Sequence, residues 1–271
     1  MSPLAITLIS VLSLIILLFF LYLFLVMPGK RRAEMQKYKG ARFAHRGLHG
    51  GGVSENSLKA FSLAIDEGVG IELDVRLSSD GKLVVFHDNT LDRCTSESGR
   101  VNEKTLEELK EIKLFDSEDT IPSFDEALTL VSGKVPLLVE IKEENGSAAV
   151  TEAVIKALSE YDGDFIIESF NPFSIALVRK KMPNAIRGIL SDNFLKSKKH
   201  RSPTFFIVQY MLTNFLCRPD FVAFEKDGYK NPSLRLCKAL GALTFAWTTT
   251  SEEEEEKALS RGFDGLIFER R

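Results

Sequence analysis

The sequence predicts an α/β protein: a (β/α)8 TIM barrel with a hairpin-containing insertion after strand two, preceded by one N-terminal transmembrane helix. Three observations lead there. From Ala41 onward, short β-branched or aromatic runs alternate with helical stretches, as parallel βα units require. One connection, "SSDG", is far too short for a parallel crossover. Leu4 to Met27 is an apolar run without a charge, about long enough to cross a bilayer as a helix.

No basic residue precedes Leu4, the run is long for a secretory signal, and no small-x-small cleavage pattern follows it. These features favour an anchor over residues 1–28 rather than a signal peptide. Lys30, Arg31, Arg32, Lys37 and Lys39 make residues 29–40 a basic linker. Because basic flanks stay in the cytoplasm, the expectation is a single-pass cell-membrane protein with the folded domain, residues 41–271, inside.

Strands are expected near "ARFAHR", "GIELDVR", "KLVVFHD", "VPLLVEIK", "DFIIESF", "IRGIL", "FVAFE", "LTFAWTT" and "FDGLIFE". That is one more than a closed barrel of about eight strands needs. The surplus resolves at "SSDG", a turn that sends "KLVVFHD" back antiparallel along the end of strand two. The hairpin and the segment after it then form an insertion over about residues 77–122. The run Glu252 to Glu256 reads as the first turn of a helix capped by Ser251, where negative charge suits the helix dipole.

With 271 residues, 44% hydrophobic and 27% charged, the chain has room for a large single core and no need of disulfides. A net charge of -3 argues against nucleic acid as a partner. Cys94, Cys217 and Cys237 are widely spaced with no CxxC, and read as idle thiols in a reducing compartment.

In a barrel of this kind the C-terminal ends of the strands converge on one site. His45 and Arg46 end the first strand; Glu72 and Asp74, two apart and therefore on one side, end the second; Glu140 and Lys142 end the next barrel strand. The hairpin folds His87 and Asp88 back toward Glu72. Any one of these is as readily structural: a carboxylate pair can serve an ion pair, and a strand-end histidine is often a hydrogen-bonded core residue. Their convergence changes the reading. Three oxygen ligands without cysteine suit a hard divalent cation, Mg2+ or Ca2+, better than zinc. A cation and a guanidinium stabilise negative charge, and two histidines can move protons in opposite directions, which together describe phosphate-ester cleavage.

These residues resemble the glycerophosphodiester phosphodiesterase (GDPD) family. The resemblance is carried by "AHRG" at 44–47, "ENS..AF" from Glu55, "IELDVRLSSDGKLVVFHD" from Ile71 to Asp88, "L.R.T...G.V" from Leu91 to Val101, "IPSFDEAL" from Ile121, "VEIK" at 139–142, "SF" at Ser169 and Phe170, and "AWTT" at 246–249. It runs in order over nearly all of the chain after the anchor. It implies a metal-dependent hydrolase that splits a glycerophosphodiester into sn-glycerol 3-phosphate and an alcohol. His45 and His87 take the acid-base positions, Arg46 and Lys142 the phosphate-binding ones, and Glu72, Asp74 and Glu140 those of the metal ligands. Glu55 and Asn56 match a supporting pair, and Trp247 an aromatic lining the substrate pocket. Two departures stand out: "WTTT" puts Thr250 where asparagine is common, and the last strand reads "IFER" where Thr-Asp is usual. Neither is expected to touch the histidines or the ligands.

The expected mechanism makes His45 the base and His87 the acid, with either water or the substrate's own 2-hydroxyl attacking. Other readings keep the same site but take a lysophospholipid or another lipid phosphodiester, as a phospholipase D or lyase, or reduce the barrel to a scaffold. The segment Ser191–Asp220 bears on this choice. It carries Lys196, Lys198, Lys199, His200 and Arg201, then "TFFIVQYMLTNFL", apolar nearly all round. It is either a deeply packed outer helix behind a solvated basic loop or a membrane-contacting lip. In the second case an extended 29–40 linker lets the barrel lie over onto the bilayer.

Overall fold

Each of the nine runs is a strand in the computed structural model of the chain, which describes residues 2–30, 32–143, 147–196 and 202–270. They are β1 (Arg42–Ala44), β2 (Gly70–Leu77), β3 (Leu83–Val85), β4 (Leu137–Ile141), β5 (Phe165–Ser169), β6 (Ile186–Ser191), β7 (Phe221–Glu225), β8 (Leu243–Thr249) and β9 (Gly265–Phe268). All pairings are parallel except β2 with β3, and β1 pairs with both β2 and β9, which closes an eight-stranded barrel. As expected, β3 lies antiparallel on the end of β2, with Val75 opposite Val85. The insertion that follows has its own small core, including Phe86, Leu91, Val101, Leu109 and Ile121.

The α-helices are α1 (Pro3–Val26), α2 (Arg32–Met35), α3 (Leu58–Asp66), α4 (Leu106–Lys110), α5 (Phe124–Val131), α6 (Ala149–Ser159), α7 (Pro172–Lys181), α8 (Pro203–Gln209), α9 (Asn214–Cys217), α10 (Pro232–Ala239) and α11 (Glu252–Ser260). Their starts follow local chemistry. Ser57, Ser123 and Ser251 each accept a backbone N–H of the first turn, and the glutamate run opens α11 as its charge pattern requires.

Inside the barrel, large rings are seated against glycines on neighbouring strands. Phe43 faces Gly70, Phe221 faces Gly188, and Phe245 faces Gly265 in direct register. A Cβ on Gly188 would fall 2.2 Å from the Phe221 ring, so the residue must be glycine for that ring to pack.

Residues 29–40 are not an extended tether. After α2 the chain forms a tight turn over Gln36–Tyr38, and Met35 and Tyr38 are buried among Phe43, Leu138, Ile166, Phe221 and Phe245. The segment closes the N-terminal end of the barrel. The long apolar segment after β6 also divides: α8 leaves Phe206 and Ile207 exposed, so it is not packed all round. Of the basic residues before it, Lys196 is exposed, and Lys198, Lys199, His200 and Arg201 lie outside the described residues.

The last turn of α1 is built into the outer layer. Val26 is buried, and its carbonyl accepts from Asn214 Nδ2 (3.1 Å) and Cys237 Sγ (3.4 Å). Arg218 Nη1 donates to the carbonyls of Phe24 and Met27, satisfying helix-end acceptors that would otherwise need water. Tyr22 Oη lies 2.8 Å from Ser233 Oγ. The pairs Tyr22–Ser233 and Val26–Cys237 are each one turn apart, so α1 runs in the same direction as α10. Because α10 descends between two parallel strands, α1 also runs from the C-terminal end of the barrel toward its N-terminal end.

If Met35 is a core residue rather than part of a linker, Met35→Ala should cost about 2–4 kcal/mol. Urea unfolding followed by tryptophan fluorescence should show a clearly lower midpoint; an unchanged midpoint would mean that residues 29–40 are dispensable to the barrel.

Candidate active site

Three carboxylates form the centre. Glu72 and Asp74 project from β2 and Glu140 from β4, with Asp74 in register opposite Glu140. All are buried, and one oxygen from each lies within 4.8 Å of the others. Burial, with the nearby charges of Asp74 and Glu140, pushes the Glu72 carboxyl well above its ordinary range. Glu140 is pushed up to about 7, by burial first, with Lys142 opposing and Asp74 adding. Asp74 is equally buried yet is held well below its usual value, because the positive charges of Lys142 and Arg46 lie beside it. Closely placed hard oxygen donors of this kind fit a divalent cation such as Mg2+ or Ca2+.

The cations are placed by the same strand ends. Lys142 Nζ lies 2.7 Å from Glu140 Oε1 and 3.0 Å from Asp74 Oδ1. Arg46 has φ 57°, which turns its backbone N–H onto Glu72 Oε2 at 2.8 Å while its guanidinium reaches Glu55 (2.7 Å) and Asp74 (3.4 Å). Gly47 follows at φ 78°, where a Cβ would meet Ala60 at 2.8 Å; the glycine lets the turn sit down on α3. Asn56 Nδ2 donates to Asp74 Oδ2 at 2.8 Å and fixes that carboxylate.

Each histidine is held by a carboxylate through Nδ1. His45 Nδ1 is 3.2 Å from Glu269 Oε2, and His87 Nδ1 is 2.5 Å from Asp88 Oδ1. The carbonyl of His87 accepts from the Arg76 guanidinium, which pins the hairpin strand over the site. Burial brings the His87 imidazole down to about 4, with Lys142 and Arg46 adding and Asp74 opposing. Arg93 joins the two halves: it donates to Asp88 and to Glu55, so His87, Asp88, Arg93, Glu55 and Arg46 form one chain of contacts.

His45, Arg46, Glu55, Asn56, Glu72, Asp74, His87, Glu140 and Lys142 are therefore brought together. Trp247 stands on the far side of the mouth, its ring 5.6 Å from Phe170, with Nε1 buried and without a hydrogen-bond partner. Between Glu140, Lys142, Ser169 and Phe170 opens a cavity of about 340 Å³.

Four residues were not singled out from the sequence. Glu168, in register opposite Glu140, is buried with Oε2 unpartnered; burial and then the charges of Glu140 and Glu72 push it well up. Its place on "IIESF", the strand next to "VEIK", was the available signal. Arg93 stands in the "L.R.T...G.V" motif without a role read from it, and His49 carried no spacing signal; His49 shares a cluster with His45 and Glu269. Glu269 corrects an expectation: the "IFER" ending does touch a histidine, because β9 is the neighbour of β1 and its end meets His45.

A family model described as the glycerophosphoryl diester phosphodiesterase family matches residues 45–270. The chain is 35% identical over 236 residues to a glycerophosphodiester phosphodiesterase of Caldanaerobacter subterraneus subsp. tengcongensis, covering 83% of this chain and 91% of that one. It is 27% identical over 275 residues to glycerophosphodiester phosphodiesterase 1 of Mus musculus, covering 90% and 82%. Among solved structures it superposes on glycerophosphodiester phosphodiesterase from Thermotoga maritima with TM-score 0.65 and 27% identity, covering 84% and 94%. It shares the fold of an Oleispira antarctica phosphodiesterase in complex with the product sn-glycerol-3-phosphate (TM-score 0.72, 24% identity, 86% and 94%).

The Arg93 bridge has a pH signature. Despite partial burial, bonds from Arg93 and His87 hold Asp88 down to about 2. A carboxyl depressed below its unfolded value of about 3.9 stabilises the fold above that pH, and loses the contribution as pH falls toward its folded value. Arg93 is nearly half exposed, so solvent screens it, and Arg93→Met should cost no more than about 1 kcal/mol at pH 7. That gap should shrink between pH 5 and pH 2. Urea midpoints of both proteins at pH 7 and pH 3 measure it; a gap that is constant or grows in acid would remove Asp88 as the partner that matters.

Proposed function

The chain belongs to the glycerophosphoryl diester phosphodiesterase family, and we propose that it hydrolyses glycerophosphodiesters to sn-glycerol 3-phosphate and an alcohol at the barrel mouth. The observation that carries this reading is a pair of carboxylate-held histidines set around one cluster of acids and cations. The enzyme class itself, phosphoric diester hydrolase, follows from the family.

Glu72, Asp74 and Glu140 would hold a divalent cation. When bound, it supplies positive charge to a phosphate oxygen and lowers the barrier to attack on phosphorus. Arg46 and Lys142 bind the remaining phosphate oxygens, and the unpartnered Trp247 Nε1–H is available to a substrate oxygen. Neutral His87, donating Nδ1–H to Asp88, keeps a lone pair on Nε2 and takes the proton of the attacking hydroxyl. The imidazolium form of His45, donating Nδ1–H to Glu269, gives its Nε2 proton to the leaving alkoxide. This reverses the roles expected from the sequence, and the basis is the depressed titration of His87.

We also read α1 as a membrane anchor. It has length and composition for one span. Its final carbonyls are bonded by Asn214, Cys237 and Arg218 of the barrel; cleavage after the apolar run would strip those side chains of partners, which argues against a removed signal. The basic residues after it favour a cytoplasmic barrel.

With glycerophosphocholine or glycerophosphoglycerol, phosphorus NMR should show glycerol 3-phosphate appearing, and EDTA should stop the reaction. His45→Ala and His87→Ala should each lower kcat about 100- to 10,000-fold; turnover at the wild-type rate in either would end the acid-base assignment. Because burial raises the Glu72 carboxyl and pushes Glu140 up to about 7, Mg2+ or Ca2+ bound there should displace protons. Calorimetry in buffers of different ionisation enthalpy should find net proton release at pH 6.5, less at pH 8.5, and affinity rising with pH. No proton release would mean that the cation binds elsewhere.

A further inference from the structure

We infer that the catalytic mouth is held facing the bilayer, and that Trp247, Phe170, Phe194 and Phe205 form the path of one acyl chain. The substrate is then a single-chain lipid phosphodiester taken from the membrane. The inference rests on the readings of α1 as an anchor and of the barrel as a phosphodiesterase, and it names the substrate class for that site.

Direction comes first. α1 descends beside α10, with Tyr22 against the first turn of α10 and Val26 lower, against Cys237. Tyr22 is therefore level with the end of the barrel where the strands finish and the site lies. Everything before it projects past that end. From Pro3 to Leu21 the helix is exposed apart from half-buried Ala5, a length of about 28 Å at 1.5 Å per residue, close to the roughly 30 Å of a hydrocarbon core. A bilayer placed around this segment has its near surface at Tyr22, the level where tyrosine is favoured, and directly over the mouth. The other end of the barrel, closed by Met35 and Tyr38, points away.

The rim on that side is apolar. α8 is tied to the end of β6 by Ser191 Oγ donating to the Val208 carbonyl, and it exposes Phe206 (47%) and Ile207 (38%). From the site toward this rim runs a row of half-buried rings. Trp247 is 5.6 Å from Phe170, Phe170 is 6.2 Å from Phe194, and Phe194 is 5.3 Å from Phe205. Phe206 and Tyr210 continue on α8 at 4.7 Å. The row starts beside the cavity lined by Glu140 and Lys142. A phosphodiester bound at the carboxylates would thus lay a hydrocarbon chain along the rings, with its glycerol inward. Water joins phosphorus, the bond from phosphorus to the headgroup oxygen breaks, and the headgroup leaves as its alcohol with a proton. An acylglycerol 3-phosphate remains.

Two measurements test this on the full-length protein. In the first, a fluorophore is attached through Phe206→Cys or Lys134→Cys, the latter on the loop entering β4; the native cysteines are buried. In vesicles with brominated acyl chains, the label at position 206 should be quenched at least several-fold more than the label at 134. Equal quenching, or the reverse, overturns the orientation. Protein washed off the vesicles by carbonate would remove the anchor reading, and this inference with it. In the second, glycerophosphocholines with one acyl chain of two to eight carbons are supplied as monomers. A fully buried methylene is worth about fourfold; along an open row of rings kcat/KM should rise at least about tenfold over the series, mostly through KM. Phe194→Ser with Phe205→Ser should flatten the rise. A flat series in the wild type overturns the chain path, while hydrolysis of glycerophosphocholine itself would leave the phosphodiesterase reading standing.

Discussion

Glu72, Asp74 and Glu140 are buried side by side, and the mutual repulsion of carboxylates in a medium of reduced dielectric shapes the polar architecture around them. Lys142 and Arg46 offset that charge from two strand ends, and Asn56 donates to the Asp74 carboxylate. Arg46 must itself be held, which Glu55 does; Glu55 is shared with Arg93, and Arg93 holds Asp88 against His87. His87 at one end of this chain is thereby positioned by the charges that balance the cluster at the other. Glu168 adds a fourth buried acid, pushed upward by burial and then by the charges of Glu140 and Glu72.

The barrel makes such a cluster possible by separating tasks between its two ends. Toward the N-terminal end the interior is dry and tight, with Phe43, Phe221 and Phe245 packed onto glycines opposite them and the end sealed by Met35 and Tyr38. Toward the C-terminal end the strands finish in charged residues, and parallel register sets Asp74, Glu140 and Glu168 in one row. The antiparallel hairpin adds what a plain barrel cannot: it returns the chain over the mouth, where Arg76 grips the His87 carbonyl.

Much of this was legible in the sequence because it depends on local pattern. The strands appear as apolar runs, the hairpin as a connection too short to cross over, and the carboxylates as an i, i+2 pair beside a second strand ending in Glu-x-Lys. What escaped depends on chain closure. Glu269 meets His45 across 224 positions because the last strand of a barrel neighbours the first, and nothing in "IFER" says which residue it faces. Arg93 lies in a loop among other polar residues, and only the folded insertion brings it to Glu55, 38 positions away. Residues 29–40 read as a solvated linker because lysines and arginines dominate their composition, whereas Met35 and Tyr38, three apart, give the segment one apolar face that packs onto the barrel.

The packing of residues 29–40 onto the barrel fixes how α1 is related to the site. A barrel on an extended chain would sample all orientations, and any approach of its mouth to lipid would be a matter of surface affinity. Here the last turn of α1 is fixed by side chains of the same outer layer that surrounds β7: Asn214 and Cys237 on the Val26 carbonyl, and Arg218 on those of Phe24 and Met27. Tilting the barrel away would break these bonds and expose Val26, returning to water the acceptors that the helix end cannot satisfy by itself. The direction of the mouth is therefore a property of the folded chain, set where the apolar helix ends rather than where the basic residues begin. The apolar rim of α8 lies on the side to which that direction points.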